Sequence, residues 1–165
     1  MKNFLIAILV LFASSLIWGQ SNSKDIPKSP LTVADVESVF GKGFKEEAPS
    51  KFGDITSYRF AHKDYTVQVT IQPSYGAKNV AEYKKMMTPK GTTWQAIPND
   101  PDGAMIEVRD DKNDDLASTP AIEYIRKDKL VRLQVLGTYY GFDKKDMPKA
   151  RDEMRQKLAK LKRIP

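Results

Sequence analysis

Asp111, Asn113 and Asp115 alternate as the first three oxygen ligands of an EF-hand loop do. The sixth position of that frame is Leu116 rather than glycine, and the twelfth is Ile122 rather than a bidentate glutamate. The ligand count therefore falls short. The stretch makes a weak calcium candidate and reads first as a solvated acidic turn. His62 is the one histidine and cysteine is absent, which removes thiol catalysis, cysteine zinc sites and the Cys/His pairings of nucleophilic catalysis, and no Gly-x-Ser-x-Gly elbow offers His62 a serine. His62 falls at a predicted hairpin turn, where a lone histidine is expected to be solvated. Carboxylate catalysis needs two acids that the fold brings together. The candidates are Glu107, Glu123 and the aspartates of the acidic loop, and strand alternation predicts exposed positions for both glutamates. The sequence thus predicts no catalytic residue, no resident metal and no cofactor. A carboxylate-based hydrolase ranks a distant third among its functions.

Two other groupings suit binding. Residues 143–163 hold nine basic side chains against four acidic ones. In the helix predicted there, Met147, Ala150, Met154, Leu158 and Leu161 form a buried stripe. Lys149, Arg155, Lys157 and Lys160 lie mainly off it and could present an anion-facing surface, although a solvated face is the commoner use of such residues. Aromatic residues form the second grouping. Tyr75, Tyr139 and Tyr140 occupy corners where predicted strands turn towards helices, and Trp94 opens a neighbouring strand. Aromatics gathered at one end of a sheet can rim a cleft, or else plug the core where strands leave it.

The elements that must position these residues begin after an export signal. Lys2 precedes an apolar run from Phe4 to Ile17, and residues 1–19 read as a secretory signal peptide too short for a membrane span of about 20 residues. No cysteine follows for lipid attachment. Residues 20–30 read as a flexible leader and 31–165 as one domain, large enough to build a core without disulfides. The formal charge of the whole chain is +6. Outside 143–163 the exported part is balanced, so basicity belongs to one element, and export disfavours nucleic acid as a partner.

Two hairpins organise the domain, at 57–71 and 121–137. Val67, Val69 and Ile71 alternate in the first as Val131, Leu133 and Val135 do in the second, with Thr66, Gln68, Thr70, Arg132 and Gln134 facing the other way. Each hairpin runs into a Tyr-Gly turn and a helical pattern, so the chain reads as one ββα unit used twice. Thr32 with Asp35 and Asn79 with Glu82 mark two helix starts, and 99–103 reads as a tight turn between two further strands. The expected fold is α+β: a twisted antiparallel sheet of about six strands packed with three helices, one sheet face partly wet.

The opening LTVADVESVFGK, DGAMIEV in mid-chain and a Lys-Asp hairpin feeding a terminal helix together resemble the PsbP-like group of small exported bacterial α+β domains. Many of that group are lipoproteins; this chain lacks their lipid-attachment cysteine. The resemblance implies a non-catalytic binding or accessory module. The sequence reading is therefore a periplasmic or secreted domain without a membrane span, interacting with an envelope protein or an anionic surface. Its alternative is an anion- or small-ligand-binding module that uses the basic helix or the tyrosine corners.

Overall fold

The computed structural model describes residues 26–87, 92–109, 120–137 and 146–164. The predicted signal segment, the acidic loop with Asp111, Asn113 and Asp115, and Tyr139 and Tyr140 lie outside the described residues. The elements run α1 (Val33–Phe40), β1 (Lys45–Glu46), β2 (Ser50–Phe52), β3 (Ile55–Ala61), β4 (Thr66–Pro73), α2 (Val80–Met87), β5 (Thr92–Ala96), β6 (Met105–Arg109), β7 (Ala121–Arg126), β8 (Lys129–Leu136) and α3 (Met147–Lys160). The fold is α+β, with one antiparallel sheet of eight strands, two more than expected. The order is β1-β3-β4-β8-β7-β6-β5, and β2 also pairs with β3. The difference arises in residues 43–53, which read as loop because β1 and β2 are too short to show a period of two.

The two sequence hairpins pair through β4 and β8 at the centre of the sheet: Val67 opposes Val135, Val69 opposes Leu133 and Ile71 opposes Val131. Those six side chains share one face, where β-branched and leucine pairs pack cross-strand. On this face the main core gathers Phe60, Val67, Val69, Ile122, Tyr124, Val131, Leu133 and Val135 under Val36 and Phe40 of α1 and Leu158 of α3. Thr32 and Asp35 close a reciprocal capping box that starts α1, and Gly41, at φ 97°, ends it.

The predicted repeat does not extend to loops or helices. Arg126 and Lys129 are joined by a two-residue turn with Lys127 at φ 46° and Asp128 at φ 58°, whereas four residues separate Ala61 from Thr66. The helix after β4, α2, places Val80 and Tyr83 against Leu130. Leu130 alternates with Val131, so α2 lies on the face opposite α1 and α3. Asn79 caps α2 as predicted, accepting from the Glu82 amide at 2.9 Å. Met86 and Met87 at its end are exposed, and Lys84 turns inward.

Ahead of Leu31, Ile26 is buried in the main core, while Pro27 and Lys28 are exposed. The end of the chain is tied as firmly. Leu161 and Ile164 are buried, and the Ile164 amide donates to the Tyr124 hydroxyl at 3.0 Å. Arg163 stacks on the Tyr124 ring, 4.7 Å from its centre, and forms an ion pair with Asp100. Asp100 Oδ1 also accepts from the Asp102 and Ala104 amides, both at 3.0 Å, which builds the β5–β6 turn. Burial raises the Asp100 pKa, but those amides and Arg163 outweigh it and hold the carboxyl below its ordinary value.

Candidate functional site

Sheet alternation places Arg132, Glu123, Glu107 and Trp94 on the α2 face, since Arg132 opposes Glu123 and Trp94 opposes Glu107. That face is not wet at this point. Glu107 is 4% exposed and Glu123 2%, against the expectation that both reach solvent. Lys84 of α2 folds over Glu123 with its ammonium 2.5 Å from Oε2, and it lies 3.7 Å above the Trp94 ring centre. Arg132 uses all three of its nitrogens: Nη1 donates to Glu123 Oε1 at 2.7 Å, Nη2 to Glu107 Oε2 at 2.7 Å and Nε to Gln134 Oε1 at 2.8 Å.

Two cations thus face two anions in a desolvated patch. Burial pushes the Lys84 pKa down, opposed by Glu123. For Arg132 burial also acts to lower the pKa, but Glu123 and Glu107 outweigh it and raise the value above the ordinary one. The two carboxylates that acid–base chemistry would require are therefore together and buried, with a guanidinium fixed between them. Among the described residues no group of three acidic or histidine side chains is arranged to hold a metal ion.

His62 is not a solvated turn residue. Its ring lies 5.1 Å from those of Phe44 and Tyr65, in a cluster completed by Phe40. Packing against aromatics recovers more apolar contact than a turn position in the sequence suggests.

The predicted binding residues do not converge. Tyr75 stands at the end of β4, 62% exposed and at φ 52°, while Trp94 is half-buried on β5 beneath Lys84. Those strands are four places apart in the sheet, roughly 19 Å at the usual strand spacing. On α3, Lys149 and Lys160 are exposed, but Arg155 and Lys157 are partly buried. Arg155 bonds to Asp152 at 2.9 Å and to the Glu107 carbonyl at 3.1 Å, and the Lys157 ammonium lies 5.8 Å from the Phe40 ring centre. Half of the expected basic face is thus engaged in holding α3 to the domain.

A groove that the sequence did not point to opens at the end of the sheet where β3 starts and β4 finishes. It encloses ≈ 430 Å³. Its floor comes from Thr56 and Tyr58 of β3 and Ile71 and Pro73 of β4, on the face that carries the main core further along. Residues 27–30 form its wall. Ile26 and Leu31 are buried at either end of that segment, and Pro27 and Pro30 restrict the backbone between them to extended shapes. Lys28, Lys51 and Lys129 stand around the opening, all exposed, with Asp54 as the one acidic residue of the lining. Among the described residues none of the three lysines has a carboxylate within ion-pair distance, whereas Arg126 pairs with Asp102 at 2.9 Å and Lys42 with Glu37 at 2.9 Å. Burial, and then Glu46, raise the pKa of the Tyr58 phenol.

Comparison with protein-family models, with curated proteins and with solved structures finds no match for this chain. Among the described residues no helix is long and apolar enough to cross a membrane.

Proposed function

We propose that this protein is an exported, non-catalytic binding module, and that the groove between Lys28, Lys51 and Lys129 is its working surface. The observation that carries this reading is the contrast between two sets of charges. Lys84, Glu107, Glu123 and Arg132 are desolvated and matched to one another. The three lysines of the groove stand beside apolar surface and face solvent. Matched, buried charges hold a fold in register; unmatched cations beside apolar surface are arranged to receive something. The arrangement favours an anion- or small-ligand-binding module over an accessory protein that works through a flat sheet face.

The guanidinium between Glu107 and Glu123 supports a non-catalytic role, because neither acid is left to give or take a proton without breaking a charge-assisted bond. The apolar run of residues 4–17 supports export to the periplasm or beyond. Membership of the PsbP-like group of exported domains is part of the same proposal. Affinity capture from envelope extract tests it against the protein-interaction form. With residues 20–165 as bait, the proposal predicts no protein retained equally by the wild type and by K28E/K51E/K129E. A protein held by both, and lost from K149E/K160E, would move the working surface to α3.

A further inference from the structure

We infer that the groove takes an amphiphilic anion: a carboxylate or phosphate head carried on a short apolar body. This rests on the proposed function, since it names the ligand class for the same surface.

The size is suitable, because small-molecule sites occupy roughly 300–1,000 Å³, and this groove measures ≈ 430 Å³. Pro27, Pro30, Tyr58, Ile71 and Pro73 give the lining more apolar than polar surface, with Thr56 and Gln72 among it. The cations come from three separate segments: Lys28 before α1, Lys51 on β2 and Lys129 at the start of β8. Among the described residues of the lining Asp54 alone opposes them, so the opening carries a surplus of positive charge beside apolar surface. Lysine ammonium groups on flexible stems act as point charges without the fixed fork of arginine. They therefore accept carboxylate and phosphate heads alike.

An acidic peptide is the competing occupant, and the sheet disfavours it. Extended peptides gain affinity by adding a strand to an open edge. The strands that floor the groove have no open edge there: β3 is paired with β2 and β4, and β4 with β3 and β8. A ligand in this groove meets side chains rather than a free backbone ladder.

The test uses residues 20–165, which contain every described element, titrated with sodium octanoate, 1-octanol and sodium acetate while backbone amide shifts are followed. Octanoate is expected to move the amides of Lys51, Thr56, Ile71 and Lys129 in a saturable way. 1-Octanol should bind there at least tenfold more weakly, and acetate should give no saturable shift. In K28Q/K51Q/K129Q, whose three positions are exposed and have no ion-pair partner among the described residues, octanoate affinity should fall tenfold or more while that for 1-octanol stays the same. Equal affinity for octanoate and 1-octanol, or an unchanged affinity in the triple variant, would overturn the assignment. If a heptaglutamate peptide moves these amides and octanoate does not, the ligand class is wrong and the binding-module reading still stands. Co-sedimentation with phosphatidylglycerol vesicles, lost in the triple variant, would assign the anion to a lipid; octanoate binding without co-sedimentation would assign it to a soluble amphiphile.

Discussion

Replacing Arg132 with methionine is expected to cost about 3–5 kcal/mol of stability, the range for breaking a buried ion pair by removing one partner. Methionine keeps much of the volume but takes the Nη1 donor from Glu123 and the Nη2 donor from Glu107, both at 2.7 Å. Two carboxylates, 2% and 4% exposed, then share a patch in which Lys84 is the remaining cation of the cluster. For a domain of this size each kcal/mol shifts the melting temperature by roughly 2–4 °C, so a fall of about 10 °C is predicted. Charge balance rather than shape should dominate. R132M/E107Q, which leaves one cation facing one anion, is expected to recover part of the loss despite carrying a second mutation. Urea or thermal melts of the three proteins read this directly. An R132M protein within about 1 kcal/mol of wild type would mean that the cluster is hydrated rather than desolvated.

Removing residues 161–165 is expected to unfold the domain or leave it marginal at room temperature. Leu161 and Ile164 are each buried, and full burial of such side chains contributes about 1.5–3 kcal/mol apiece. The same cut removes the amide that donates to the buried Tyr124 hydroxyl and the guanidinium that pairs with Asp100. Unpaired buried polar groups add about 1–3 kcal/mol each. The sum approaches the whole stability of a typical domain, about 5–15 kcal/mol. Amide hydrogen exchange separates this from a local effect. Loss of protection in β7 and β8, not just in α3, is predicted, because Tyr124 joins the tail to the centre of the sheet. A truncated protein that keeps native protection in those strands would show that the tail only decorates the fold.

Much of this architecture can be read from the chain, for reasons that differ by element. Both helix caps and the β5–β6 turn are local arrangements, set within a few residues, and they stand where their spacing places them. Strand alternation likewise assigned Val67, Val69, Leu133 and Val135 to one face correctly. The same alternation puts Arg132 and the two glutamates on the other face, but a period of two assigns a face and not its exposure. A two-residue turn at Lys127-Asp128 pairs Glu123 with Arg132, so opposite charges directly across a hairpin were a signal of a matched pair. Nothing in that signal shows that α2 would bring Lys84 down on top. Helix placement depends on packing across the whole domain, which is also why α2 and α3 fall on opposite faces after similar hairpins.

The candidate site was far less legible. Lys28, Lys51 and Lys129 are ordinary surface residues from three distant segments, and only the folding of 26–30 back onto the sheet assembles them. Local charge density instead singles out the basic run of α3. Arg155 and Lys157 belong to a basic run, yet both are partly buried against the domain. Local charge density records what a helix displays in isolation, not what the fold leaves free.

Native mass spectrometry of the protein recovered from the cells that make it tests the central claim most directly. Wild-type protein is predicted to carry a bound organic anion as a discrete added mass, released on denaturation. K28E/K51E/K129E, recovered in the same way and still folded, is predicted to carry none, while K149E/K160E keeps the full amount. A wild-type protein with no added mass, or the same mass on the groove variant, would contradict the groove as the working surface.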